Sequence, residues 1–162
     1  MKKQQVIDES KLVLNPFVNN LQIEATKMTD LNKYVIDSNG EPQPVSTLIE
    51  KRQNVKLFYC TACKDMVYNL SPGAKSLYLF VLYNLESGQD WIQINTQWYM
   101  SKNSIKSINT YKEAVKELCR YMFLNQTADY KDVYWINPML FFSGNRIAKY
   151  PEKVIIKGEF SK

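Results

Sequence analysis

"SINTYKEAVKELCRYMFLNQTADYKDVYWINP", residues 107–138, carries the strongest structural pattern in the chain. Ser107 is placed to cap a helix. Tyr111, Ala114, Val115, Leu118 and Met122 then recur at spacings of three and four, which predicts an amphipathic helix. Opposite that stripe, at about 100° per residue, fall Asn109, Lys112, Lys116 and Arg120, with Glu113 and Glu117 interspersed. Directly behind come "FLNQT", a polar "ADYKD" and "VYWINP", which read as a β-hairpin with its tip over residues 128–132. Asn137-Pro138 closes the returning strand, because proline has no N–H for the ladder and suits the first turn of a following helix.

Upstream, Ser71-Pro72 is a helix start: serine as cap, proline at the first helical position. "GAKSLYLFVLYNLESG" then runs apolar until Gly88 offers an end, and a helix apolar nearly all round is expected at the centre of a core. "WIQIN" alternates like a short strand, and "TQWYMSKNSI" holds one short helix with Thr96 as its cap. The order is long helix, strand, short helix, tight connection, helix, hairpin. It predicts an α+β fold with a winged helix-turn-helix domain, the helix beginning near Ser107 being the reader and the hairpin its wing.

Downstream, "DVYWINPMLFFSGNR" (residues 132–146) concentrates Tyr134, Trp135, Phe141 and Phe142. The run is too short and too interrupted to cross a bilayer. "PMLFF" is expected as a helical turn folded back on the core, and Ser143-Gly144-Asn145 as a turn delivering Arg146. Most of these aromatics therefore read as packing.

With 162 residues, the chain suits one domain with an appended arm, and 45% hydrophobic with 13% aromatic residues argues against disorder. Residues 1–50 carry 5 Lys against 7 Asp or Glu, and residues 51–162 carry 16 Lys or Arg against 9 Asp or Glu, so the net +5 belongs to the second part. A nucleic-acid surface is expected there. The absence of histidine removes Ser-His-Asp and Cys-His catalysis and the histidine metal motifs, and no Gly-rich phosphate loop is present, so no catalytic residues, metal or cofactor are assigned. Cys60 and Cys63 have Cys-x-x-Cys spacing but supply only two ligands. They read either as small buried residues near a strand end or as half of a zinc site shared between subunits. Cys119 lies toward the buried side of the reader helix. "MKKQQVIDES" lacks the apolar core of a signal peptide and "SLYLFVLYNL" is half a membrane span, so a cytoplasmic protein is expected.

The first 70 residues read as strand-rich and irregular: "KLVLNPF", "LQIEATKM", "KYVID" and "NVKLFYC" as strands, Asn39-Gly40 as a turn, "EPQPVS" as linker or loop. The expected division is a strand-rich arm over residues 1–53, used for dimerisation or interaction, a winged-helix domain over 54–150, and a basic tail over 151–162.

The segments "LSPGAKSLYLFVLYNL", "SINTYKEAVKEL" and above all "YWINPMLFFSGNR" resemble plasmid and phage replication initiators of the RepL kind, over about residues 54–150. The resemblance implies a non-enzymatic, sequence-specific double-stranded DNA-binding protein whose reading helix maps onto residues 107–121, with Asn109, Thr110, Lys112 and Lys116 as contacts. The wing departs from a strong phosphate grip, having Asp129 and Asp132 beside a single Lys131. The full candidate set is Lys106, Ser107, Asn109, Thr110, Lys112, Lys116, Arg120, Lys131 and Arg146, with Lys149, Lys153 and Lys157 adding non-specific attraction. Either a replication initiator or a transcriptional regulator fits, paired through its N-terminal strands on an inverted repeat. For the helix face the alternative is a solvated surface of Glu–Lys pairs. For the chain it is a structural or interaction protein, such as a phage virion or cargo component, that keeps a winged-helix body but docks protein. That reading expects an exposed apolar patch around Trp98, Tyr99 or Phe142.

Overall fold

The computed structural model describes residues 6–12, 14–50 and 61–161, and its class is mixed α+β: five α-helices and two three-stranded sheets among these residues. α1 (Thr61–Asn69) leads into α2 (Pro72–Asn84), whose cap is Ser71, its Oγ accepting the Ala74 N–H at 3.3 Å. α2 buries Ala74, Leu77, Tyr78, Val81 and Leu82, but it is covered on one side only: Leu79 and Tyr83 are exposed. It ends at Asn84, before Gly88, which takes a left-handed φ of 81° in the turn leading to β3 (Trp91–Gln93).

α3 (Thr96–Lys102) is capped by Asn95 rather than Thr96, since the Asn95 Oδ1 accepts the Trp98 N–H at 3.0 Å. A short connection containing left-handed Ser104 reverses the chain into α4 (Ile108–Arg120), where Ser107 Oγ accepts the Asn109 N–H at 3.2 Å. α4 stops short of Met122. That residue adopts φ 58° and is exposed, and the reversal carries Phe123 into the core with its N–H on the Leu118 carbonyl at 2.9 Å. β4 (Leu124–Gln126) and β5 (Val133–Ile136) follow as an antiparallel hairpin, and the sheet order is β3-β5-β4 with Trp91 opposite Trp135.

The helices and this sheet close on an aromatic centre. Tyr78 packs on Phe123 and Phe141 at centroid distances of 5.0 and 5.4 Å, and all three are at most 2% exposed. Each contributes about 1.5–3 kcal/mol by burial. Residues 138–140 form the expected turn, with the Leu140 and Phe141 N–H groups on the Asn137 carbonyl. Gly144 then bends the chain at φ 106°, where an added Cβ would lie 2.7 Å from Ser87 Oγ and 2.9 Å from Gly88 N. The short α5 (Arg146–Lys149) starts on the Asn145 cap.

The N-terminal part departs from expectation. "KLVLNPF" makes no strand among its described residues. It contributes to two 3-10 turns, Glu9–Lys11 and Pro16–Asn20, the second capped by Asn15. "LQIEATKM" and "KYVID" merge into one long strand, β1 (Ile23–Ile36), interrupted by an irregularity between Asp30 and Tyr34. "EPQPVS", expected as linker, lies mostly in β2 (Pro42–Glu50), antiparallel to β1, because an edge strand tolerates proline. The expected Asn39-Gly40 turn joins them: the Asp37 carboxylate accepts the Asn39 and Glu41 N–H groups, both at 2.9 Å. "NVKLFYC" and Cys60 lie outside the described residues, and Cys63 falls in α1 rather than near a strand end.

Residues 151–162, expected as a basic tail, instead supply a 3-10 turn (Pro151–Lys153) and β6 (Val154–Ser161). β6 pairs in parallel with β1, so this sheet has the order β2-β1-β6. Leu21 and Ile23, at the base of β1, belong to the same core as Tyr78 and Phe141. Among the described residues no helix is long and apolar enough to cross a membrane.

Candidate nucleic-acid interface

The amphipathic pattern of α4 is realised on both faces. Tyr111, Ala114 and Leu118 are buried against the core, while Asn109, Thr110, Lys112, Lys116 and Arg120 are exposed. Lys106 and Ser107, in the connection that enters the helix, are exposed beside them. α4 supplies five of the nine candidate residues at exposed positions, and the connection entering it supplies two more.

Their side chains are not equivalent. Asn109 and Lys112 make no side-chain hydrogen bond or ion pair with another described residue. Lys116 Nζ lies 2.7 Å from Glu113 Oε1, an i,i+3 pair that the alternative reading of this face expected. Both partners are largely solvated, and such surface pairs contribute little, so exchanging the carboxylate for a phosphate costs little. The Arg120 guanidinium lies 5.1 Å from the Tyr121 ring centre. The Thr110 methyl approaches Gly73, a Cβ on which would lie 3.9 Å away, so this threonine is also a packing residue.

Glu117 plays a different part. Its Oε1 accepts the Ser71 N–H at 2.8 Å and its Oε2 accepts the Ser71 hydroxyl at 2.6 Å, which ties α4 to the start of α2. These bonds hold the Glu117 carboxyl below its usual range. The acid thus answers a helix N-terminus, where negative charge is favoured.

The hairpin presents one cation. Lys131 is exposed at its tip, with its carbonyl accepting from Gln126 Nε2 at 2.9 Å. Asp132 points back to β3, its carboxylate accepting from Gln93 Nε2 at 3.0 Å, whereas Asp129 is exposed. The tip is fastened from within by Thr127 Oγ1, which donates to the Tyr130 carbonyl at 3.1 Å. It is fastened from outside by the N-terminal segment, whose Asp8 N–H donates to the Tyr130 hydroxyl at 3.3 Å.

Arg146 corrects the candidate set. It is 5% exposed and its Nη1 donates to the Pro138 carbonyl, so it braces the turn after β5 and is not presented to a partner. The turn that delivers it points inward because Gly144 packs on Gly88.

Sequence reasoning missed a buried polar junction at Asp90, the residue before β3. Asp90 Oδ2 accepts from the Tyr150 hydroxyl at 2.9 Å and from Asn15 Nδ2 at 3.3 Å; Asn15 also donates to the Ile136 carbonyl at 2.9 Å. Lys149 Nζ is 3.8 Å from Asp90 Oδ1. Burial, and then Asp90, push the Tyr150 hydroxyl pKa up, so the group stays a donor. Separations of 60 and 75 residues leave no local sequence signal for this junction. A cavity of about 490 Å³ adjoins it, lined by Trp91, Trp135, Lys149 and Lys153 among others.

Of the three residues that the protein-docking reading expects exposed, only Trp98 is, at 45%; Tyr99 and Phe142 are buried. Trp98 borders a second cleft of about 490 Å³ with Phe80, Trp91, Asn84 and Gln93. Cys119 is half-buried, and burial pushes its thiol pKa up, which disfavours the reactive thiolate. Comparison with family models, with curated proteins and with solved structures finds no match to this chain.

Proposed function

We propose that this protein binds double-stranded DNA by sequence through a winged helix-turn-helix, as a replication initiator or transcriptional regulator of a plasmid or phage. The observation that carries the reading is the exposed face of α4: Asn109, Lys112, Lys116 and Arg120, with Lys106 and Ser107 at its entry. α4 follows a strand and a short helix and precedes a hairpin, and the sheet order β3-β5-β4 sets that hairpin beside β3. In this arrangement α4 enters the major groove, Asn109 offers its amide to a base edge, and the cations meet phosphates or guanine. The wing contributes Lys131 alone, so most phosphate contacts come from the helix and its entry.

A second reading is a structural or interaction protein with the same body, which the exposed Leu79, Tyr83 and Trp98 favour. Fluorescence anisotropy with random-sequence duplex DNA separates the two. On the DNA reading, log affinity falls steeply with log salt, and the Lys112→Ala, Lys116→Ala double variant flattens that slope by roughly 0.9 for each phosphate it no longer neutralises. Equal, weak binding by the native chain and a folded double variant would overturn it in favour of protein docking. If the slope behaves as expected, sequences selected from a random pool should lose their preference over bulk DNA when Asn109→Ala is introduced.

A further inference from the structure

The sheet β2-β1-β6 ends on β2, and among the described residues no strand pairs with its outer edge. The backbone of that edge can be assigned from the turn. The Asp37 N–H donates to the Glu41 carbonyl at 2.9 Å, so Glu41 turns its backbone groups toward β1. The extra residues of the irregularity lie in β1, so the alternation along β2 is unbroken. Gln43, Val45, Thr47 and Ile49 do the same, while Pro42, Pro44, Ser46 and Leu48 face outward. Ser46 Oγ lies 3.1 Å from Thr29 Oγ1, as in a non-hydrogen-bonded pair. The two prolines sit where their missing N–H costs the β1 ladder nothing. They also blunt the outer edge at one end, leaving Ser46 and Leu48 as the outward residues with both donor and acceptor over residues 45–49.

That stretch is self-complementary. Turned about a two-fold axis at Thr47, Ser46 of one copy stands opposite Leu48 of the other, Val45 opposite Ile49, and Thr47 opposite its own counterpart. Each Ser46–Leu48 pair exchanges both backbone bonds, and no charged side chain falls within the paired window, so no like charges meet. The register with β1 places Val45, Thr47 and Ile49 on the face that carries Met28, and β6 adds Phe160 beside Met28. Thr26, Asp30 and Thr47 share that face, and Ile49 and Phe160 are 40% and 47% exposed, so pairing sets the exposed Ile49 of each copy opposite Val45 of the other.

We infer that two copies of this chain join edge to edge through β2, antiparallel about Thr47, to form a six-stranded sheet. The contact is isologous and closed, since each copy uses the β2 edge that no described strand covers. It uses no residue of the α4 surface, so either reading of that surface can fail without it.

Thr47 at the axis is a non-hydrogen-bonded pair, with Cα atoms about 4.5 Å apart, within reach of a disulfide; Ser46 is offset from its own counterpart by two residues and lies beyond that reach. The native chain should sediment at twice the mass of one chain. Thr47→Lys, which sets two ammonium groups face to face at an exposed position, should sediment as the monomer with unchanged circular dichroism. Under mild oxidation Thr47→Cys should form a covalent dimer that mass spectrometry locates at position 47, and Ser46→Cys should not. A native chain that sediments as a monomer, or cross-linking at position 46 as fast as at 47, overturns the proposal.

Discussion

Two regions of this molecule carry several large apolar side chains and end in opposite conditions. Around Tyr78 the side chains of α2, α4 and the loop after β5 meet and exclude water. Along β1 beyond Asp30, Leu31, Tyr34, Val35 and Ile36 are 51–68% exposed, and their strand is supported on one side by β2 alone. A two-stranded ribbon is marginal in water without a third strand or a packed face. Hydrophobicity therefore does not by itself place a residue inside; it does so only where a second layer arrives to cover it.

Deleting one aromatic from each region tests this contrast most directly. Phe141→Ala should cost about 3–5 kcal/mol in urea unfolding, whereas Tyr34→Ala should stay within about 0.5 kcal/mol under conditions where the chain is monomeric. Equal losses would mean that the ribbon is covered as well as the body. Gly144→Ala tests the loop that closes the body: left-handed strain and the approach to Ser87 and Gly88 should together cost on the order of 2–3 kcal/mol, read as a lowered Tm.

The junction between the body and the N-terminal segment comes next. Tyr150→Phe removes the hydroxyl from buried Asp90 and should cost about 1.5–3 kcal/mol, the range for a hydrogen bond to a charged group. It should also speed amide exchange in residues 14–20 ahead of α4, because Asn15 shares the same carboxylate. Uniform exchange across both segments would show that the arm does not depend on this junction.

The smallest effect is at Glu117, which is mostly solvated. Glu117→Gln weakens the tie to Ser71 and should lower stability by less than about 1 kcal/mol at neutral pH. Its folded-state pKa lies below the ordinary 4.5, so its contribution is fully present above pH 4.5 and is lost as pH falls through the lowered value. Native and variant unfolding curves should converge on acidification. A difference that persists at low pH would assign the effect to packing instead of charge.

Much of the body was legible because its signals are local. Ser71 and Ser107 cap the helices they were expected to cap, the alternation of "WIQIN" and "VYWINP" marks β3 and β5, and the polar face of α4 follows from periodicity. Even Asn39-Gly40 declares its turn within four residues. Where the expectation failed, the deciding contact was distant. "EPQPVS" has the composition of a loop, yet β1 recruits it as an edge strand. Residues 151–162 carry three lysines and were expected as a tail, yet residues 154–161 pair with residues 23–29.

The candidate site divides along the same line. Asn109, Lys112, Lys116 and Arg120 share a face because about 3.6 residues complete a turn, and no tertiary contact is needed to put them there. Arg146 had the same chemistry in the sequence and is buried because Gly144 folds its segment back onto Gly88 and Pro138. Helix caps, periodicity and turn residues act within a few positions and can be read from the chain. Which cation faces water, which edge stays open and which carboxylate joins Asn15 to Tyr150 depend on segments that meet only when the core closes.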